Sequence, residues 1–170
     1  MKVFGLLDLR ALFIFEKYRE NFENAINASY KMCEDGADGI VIKGNFRATL
    51  DIYSFLRGKV DVPIAVFLKT KRQYDLANNS LIINIFSNES FPGTIKTVYP
   101  VDKTFLKKKV SDAVLLPNVR LLHLLRDVED SIPELTALVS YKLARLRYDY
   151  MITPELISAK KGLKFFRKYH

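Results

Sequence analysis

Short apolar runs alternate with amphipathic stretches along this chain, a pattern that predicts repeated strand–helix units. Val3–Leu9 reads as the first strand. From Asn21 the spacing turns helical, with Phe22, Ala25, Ile26, Tyr30 and Cys33 on one apolar face. Gly36 ends that helix, where a left-handed backbone is needed. Asp38–Gly44 is the second strand, Leu50–Leu56 a short helix and Pro63–Lys69 the third strand. Lys71–Asn78 is a short helix and Leu81–Ser87 the fourth strand. These four strands are continuous apolar runs, which belong to sheets buried on both faces and usually parallel.

The second half of the chain is less regular. Thr94–Val101 reads as a strand, with little room before it for a helix. Thr104–Lys109 is a short helix, Ala113–Leu116 a strand, Leu121–Val128 a helix and Leu135–Tyr141 a strand. Tyr150–Ile152 closes the set, ahead of Thr153-Pro154-Glu155. That triplet is a helix start: a capping hydroxyl, a proline at the first position and an acid. The final helix should bury Leu156, Leu163 and Phe166. Eight strands in 170 residues predict an α/β fold, a trimmed eightfold barrel of the TIM type, since an ordinary one takes about 250 residues. The alternative is an open, mostly parallel sheet. No linker interrupts the pattern, so residues 1–170 are expected to form a single domain.

Composition narrows the function. Hydrophobic residues make up 49% of the chain, with twelve Phe and nine Tyr, which excludes a disordered chain. A lone cysteine, Cys33, rules out an intrachain disulfide and a multi-thiolate zinc site. Two histidines, His123 and His170, make a His-rich metal site improbable, so neither metal nor cofactor is expected. No apolar run approaches the roughly 20 residues that span a bilayer. The N-terminal run carries Asp8 and Arg10 and reads as no signal peptide, so no membrane partner is expected and the cytoplasm is the expected compartment. The net charge of +8 favours phosphate-rich or otherwise anionic partners, or a merely solvated surface.

The order of segments resembles dihydropteroate synthase and its pterin-binding relatives across nearly the whole chain. Phe4-Gly5-Leu6-Leu7-Asp8 is similar to that family's opening strand, with Asp8 where the family has a metal- and diphosphate-contacting asparagine. Asp35 through Gly44 resembles the family's Gly-Ala-Asp, strand and Gly-Gly turn. Val62 through Val66 resembles its third strand, and Ile82-Ile83-Asn84 its fourth. Asn118–Leu125, followed by Pro133 through Lys142, is similar to the segment leading into the Ser-Arg-Lys strand, which here ends Ser140-Tyr141-Lys142. The departures are as informative. The family holds its pterin with carboxylates, which pair bidentately with guanidine-like donors. Val41, Phe67, Ile85 and Leu116 stand at the matching places. The loop after the first strand lacks Thr-Pro-Asp-Ser-Phe, and Tyr150-Met151-Ile152 offers no Arg or His for a leaving diphosphate.

The resemblance implies a catalytically degenerate member of this barrel family, without synthase activity and with no catalytic residue assigned. It would bind a small anionic or pterin-like ligand, or act as a non-catalytic partner in a pterin or folate pathway. The ligand-binding residues it implies are Asp8, Asn84 and Lys142. Arg10, Lys43, Arg47, Lys69, Lys71 and Arg72 follow the ends of early strands and would gather with Lys142 on one anion-binding rim, the alternative being scattered surface charge. The four apolar replacements should pack into the upper barrel and shrink its pocket. Lys160, Lys161, Lys164, Arg167 and Lys168 form a basic stripe on the last helix, which supports a second reading as an RNA- or polyanion-binding subunit. A third reading is a structural homodimer, through Leu121/Leu125 and Phe165/Tyr169. Cys33 is expected to be an inert core residue, and His123 neither a ligand nor half of a triad.

Overall fold

Seven parallel strands close into a ring in the computed structural model, which describes residues 1–12, 18–79, 82, 84–117 and 132–170. The strands are β1 (Lys2–Asp8), β2 (Gly39–Lys43), β3 (Ile64–Leu68), β4 (Ile85–Ser87), β5 (Ile95–Val98), β6 (Ala113–Leu115) and β7 (Tyr150–Thr153). Each pairs with the next, and β1 pairs with β7 to close the barrel. The helices are α1 (Leu9–Leu12), α2 (Tyr18–Glu34), α3 (Phe46–Leu56), α4 (Lys71–Asn79), α5 (Ile132–Arg145) and α6 (Leu156–Tyr169), with a 3-10 turn at Lys103–Leu106. This is the expected trimmed α/β barrel of the TIM type. The open-sheet alternative is excluded by the β1–β7 pairing.

One expected strand is a helix. Leu135–Tyr141, read as the seventh of eight strands, lies in the middle of α5. Its apolar residues are helix-spaced: Leu135, Val139 and Leu143 are buried against the barrel while Leu138 is 44% exposed. The ring therefore closes on seven described strands rather than eight. The strand calls at Leu81 and Ile83 and the helix Leu121–Val128 lie outside the described residues.

No helix connects β4 to β5, and the short strands explain how the chain manages without one. β4 has three residues and β5 four, so the return path is only about 10–13 Å at about 3.3 Å per residue. Residues 88–94 can span roughly 24 Å when extended. The segment turns through Gly93, at φ 75°, and Phe91 stacks on Tyr74 of α4 at 4.8 Å.

Strand alternation sorts the core into an inner and an outer layer. Phe4 and Leu6 of β1, Val41 of β2, Ala65 and Phe67 of β3, Phe86 of β4, Ala113 and Leu115 of β6 and Ile152 of β7 fill the barrel. Phe4, Phe86 and Tyr150 meet edge-to-face at 5.3–5.6 Å and plug its lower half. Gly39 is required beneath them, because a Cβ there would lie 2.5 Å from the Phe4 ring. The alternate residues face the helices: Leu7, Ile40, Ile42, Val66 and Leu68 pack under α2 and α3, while Val114 and Met151 pack under α5 and α6. On α2 the buried face runs through Asn21, Ala25 and Ser29, and Tyr30, expected on that face, is 46% exposed.

Candidate functional site

Barrel chemistry gathers where the strands end, and inner-facing positions there point over the barrel core. Continuing the alternation of Phe4 and Leu6 brings Asp8 to the inner side of β1. The same step from Val41 brings Lys43, and from Ala65 and Phe67 it brings Lys69. Asp8 and Lys43 are register partners across β1 and β2. The fold therefore brings Asp8, from the expected ligand set, together with Arg10, Lys43 and Lys69, from the expected rim, at the mouth.

Its members differ in state. The Asp8 carboxylate accepts the Arg10 backbone N–H at 3.1 Å and lies 3.5 Å from Arg10 Nε. Lys43 is only 6% exposed, yet among the described residues its Nζ has no hydrogen bond or ion pair. Burial, together with the positive charges of Arg10 and Lys69, pulls its pKa below the ordinary lysine value, and Asp8 opposes this more weakly. Thr49 Oγ1 is the one sealed and unpartnered side-chain polar atom among the described residues, so Lys43 Nζ keeps an opening to solvent. Lys69, Arg10, Arg47 and Arg72 are exposed.

Beside Lys43 a groove of about 470 Å³ runs between the β2–α3 and β3–α4 connections, lined by Gly44, Arg47, Lys69, Thr70, Arg72 and Gln73 among others. The adjoining helix starts are closed by their own side chains. Asn45 Oδ1 accepts the N–H groups of Arg47 and Ala48, Thr70 Oγ1 accepts that of Gln73, and Gln73 Oε1 accepts that of Lys69. Attraction for an anion in this groove accordingly comes from the side chains of Arg47, Lys69 and Arg72. A cavity of about 560 Å³ lies on the outside of the barrel between α5 and α6. Its lining is mostly apolar and comes from these two helices, with none of the inner barrel residues.

Two expected ligand residues lie elsewhere. Lys142 sits in the last turn of α5, exposed. That turn leads into the start of β7, so it lies at the opposite end of the barrel from the mouth. Asn84 precedes β4, where its side-chain amide donates to the Ile64 carbonyl at 3.4 Å and its own carbonyl accepts the Val66 N–H. It serves backbone satisfaction at the lower end of the sheet. All four apolar replacements are buried, but only Val41 and Phe67 lie inside the barrel. Ile85 and Leu116 face the helices, and Phe86 and Leu115 occupy the inner positions expected of them. The groove itself was legible only in part, because its shape depends on how α3 and α4 leave the sheet. His123 lies outside the described residues.

No family model matches the chain, and no curated protein matches it. Solved structures do match. The dihydropteroate synthase of Xanthomonas albilineans, in complex with 7,8-dihydropteroate, superposes with a TM-score of 0.71 at 11% identity, covering 99% of this chain and 92% of that one. Its fold is the dihydropteroate synthase fold. The synthase of Clostridium difficile, solved in the presence of pteroic acid, gives 0.72 at 12% identity over 100% and 97% of the two chains. That of Anaplasma phagocytophilum, with bound 6-hydroxymethylpterin-monophosphate, gives 0.66 at 11% identity over 99% of each. The dihydropteroate synthase-like barrel expected from segment order is thus present throughout the described residues, and none of their helices is long and apolar enough to cross a membrane.

Proposed function

We propose that this dihydropteroate synthase-like barrel does not make dihydropteroate and instead binds a small anionic or pterin-like ligand at its mouth. The observation that carries the reading is Lys43, a nearly buried cation without an ion pair among the described residues, near Arg10, Lys69 and a groove lined by Arg47 and Arg72. Cations held close together repel one another, and an anion that bridges them relieves the repulsion while forming charge-assisted hydrogen bonds. Loss of synthesis follows from the chemistry of the floor. Val41 and Phe67 offer no acceptor to a pterin edge, and each buried donor left unpaired costs about 1–3 kcal/mol. The similar synthases bind pterin compounds, one of them a monophosphate, which supports an anionic or pterin-like occupant here.

Isothermal titration with diphosphate, a pterin and p-aminobenzoate, repeated from about 50 to 200 mM salt, tests this. Diphosphate should bind with an affinity that falls steeply with salt, and Lys69→Ala with Arg72→Ala should weaken it by at least tenfold. Measurable dihydropteroate synthesis would overturn the non-synthesising reading. Absence of anion binding would overturn the mouth as its site.

A further inference from the structure

We infer that Lys43 is an imine-forming nucleophile, whose side-chain amine condenses with the carbonyl carbon of a small anionic aldehyde or ketone held at the barrel mouth. The inference rests on the anion-binding reading of that mouth and adds a covalent step to it.

A lysine kept only for structure would be expected to pair with the carboxylate opposite it. Asp8 is that partner in register, but its oxygen is engaged by the Arg10 backbone and guanidinium. Lys43 is left with an apolar floor, Leu6, Val41 and Phe67 beneath it, and with Arg10 and Lys69 as like-charged neighbours. Desolvation and an adjacent cation are the two devices that turn a lysine into a neutral nucleophile near neutral pH. Both act on Lys43. Its position also defines the substrate: Lys43 is 6% exposed, and both Gly44, the next residue, and Lys69, a like-charged neighbour, line the cationic groove. A carboxylate or phosphate placed against Lys69, Arg47 and Arg72 would leave a neighbouring carbonyl to reach Nζ.

The step balances without any redox partner. The amine lone pair attacks the carbonyl carbon, forming the C–N bond, and the carbonyl oxygen takes up a proton to give a carbinolamine. Loss of that oxygen as water breaks the C–O bond and leaves the imine. Asp8 lies across the β1–β2 pair, and Arg10 engages only its Oδ1, so Oδ2 is the carboxylate oxygen placed to carry the proton between nitrogen and oxygen.

Trapping with cyanoborohydride tests the inference, because hydride converts an imine into a stable secondary amine. The whole chain is incubated with pyruvate and sodium cyanoborohydride near pH 7, then weighed intact and mapped by peptide mass. One reduced adduct per chain is expected, on the peptide that carries Lys43, with acetone labelling at least tenfold less. Lys43→Arg should abolish that single adduct, and the peptide map of the unmodified sequence locates it even if the variant folds poorly. Label spread over many lysines with no excess at Lys43, or no label at all, overturns the inference. Diphosphate titration of the same preparation separates the two claims. Binding without an adduct sinks the imine alone, and absence of both sinks the mouth as well.

Discussion

Lys43 is the residue at which folding and the proposed function pull in opposite directions. Burying an ammonium without a counter-ion destabilises the folded state, and the cost appears as a pKa lowered from 10.5, chiefly by desolvation and next by Arg10. The sign follows from linkage. Below the folded-state pKa both states carry the proton and the penalty is present in full. As pH rises through that value towards 10.5, the unfolded state holds the proton longer, so stability rises. Lys43→Met is therefore expected to raise the melting temperature at neutral pH and to remove this rise on the alkaline side. Thermal melts from neutral pH upwards, compared between the two proteins, check it. Tyr148 titrates in the opposite sense, since its buried hydroxyl has a raised pKa, so the difference between the two curves is the informative quantity. A melting temperature lowered by Lys43→Met would show that the ammonium is stabilised by its surroundings.

At the scale of elements, α5 and α6 form the closest helix pair on the barrel. Gly162 of α6 lies over the backbone of Ala137 in α5, where an added Cβ would come within 2.0 Å of a carbonyl oxygen. Ser140 fixes the same crossing by donating its hydroxyl to the Ala159 carbonyl at 2.6 Å. Gly162→Ala sets two effects against each other. Helix propensity favours alanine by about 1 kcal/mol, whereas backbone overpacking costs about 1–3 kcal/mol and no flexible side chain is there to yield. Net destabilisation is expected, read as a lower denaturant midpoint with little change in slope. The basic stripe of α6 is partly structural: Lys160 reaches Asp38 at 2.6 Å, and Asp38 also accepts the Val3 N–H at 2.8 Å. Lys161, Lys164, Arg167 and Lys168 remain exposed.

The whole molecule is a barrel whose floor is closed by side chains. Phe67, 6% exposed, belongs to the inner layer with Leu6, Val41, Phe86 and Leu115. Burying such a side chain contributes about 1.5–3 kcal/mol. Phe67→Asp would remove that contribution and place a carboxylate in the apolar layer near Lys43. It is expected to lower stability by at least that amount and to produce no dihydropteroate synthesis, since β7 supplies no Arg or His. A melt and a synthase assay on the purified variant decide this. Turnover by the variant would show that one lost acid was all that separated this barrel from a synthase.

Periodicity alone determined the strand–helix alternation, the parallel sheet and the first three βα units, because long apolar runs and glycine stops are local signals. It also put Lys43 and Lys69 at the ends of the second and third apolar runs, whereas the place of Asp8 came from the resemblance of the first strand. Leu135–Tyr141 misled because its apolar run is short and α5 ends without a glycine: Arg147 takes the left-handed position, at φ 62°. The start signal Ser131-Ile132-Pro133-Glu134 was the counter-indication. With that strand went the placement of Lys142. The pairing of Asp8 with Arg10, two residues on, was also legible in the sequence, because a carboxylate in an apolar strand needs a partner. Tertiary structure alone decided that seven strands close the ring and which side of β4 and β6 faces inward. It also decided that Lys43 is buried with no ion pair among the described residues. Local pattern sets which residues can be buried and which near neighbours can pair, but which strand ends meet, and so which charges gather at one mouth, is decided only in the folded barrel.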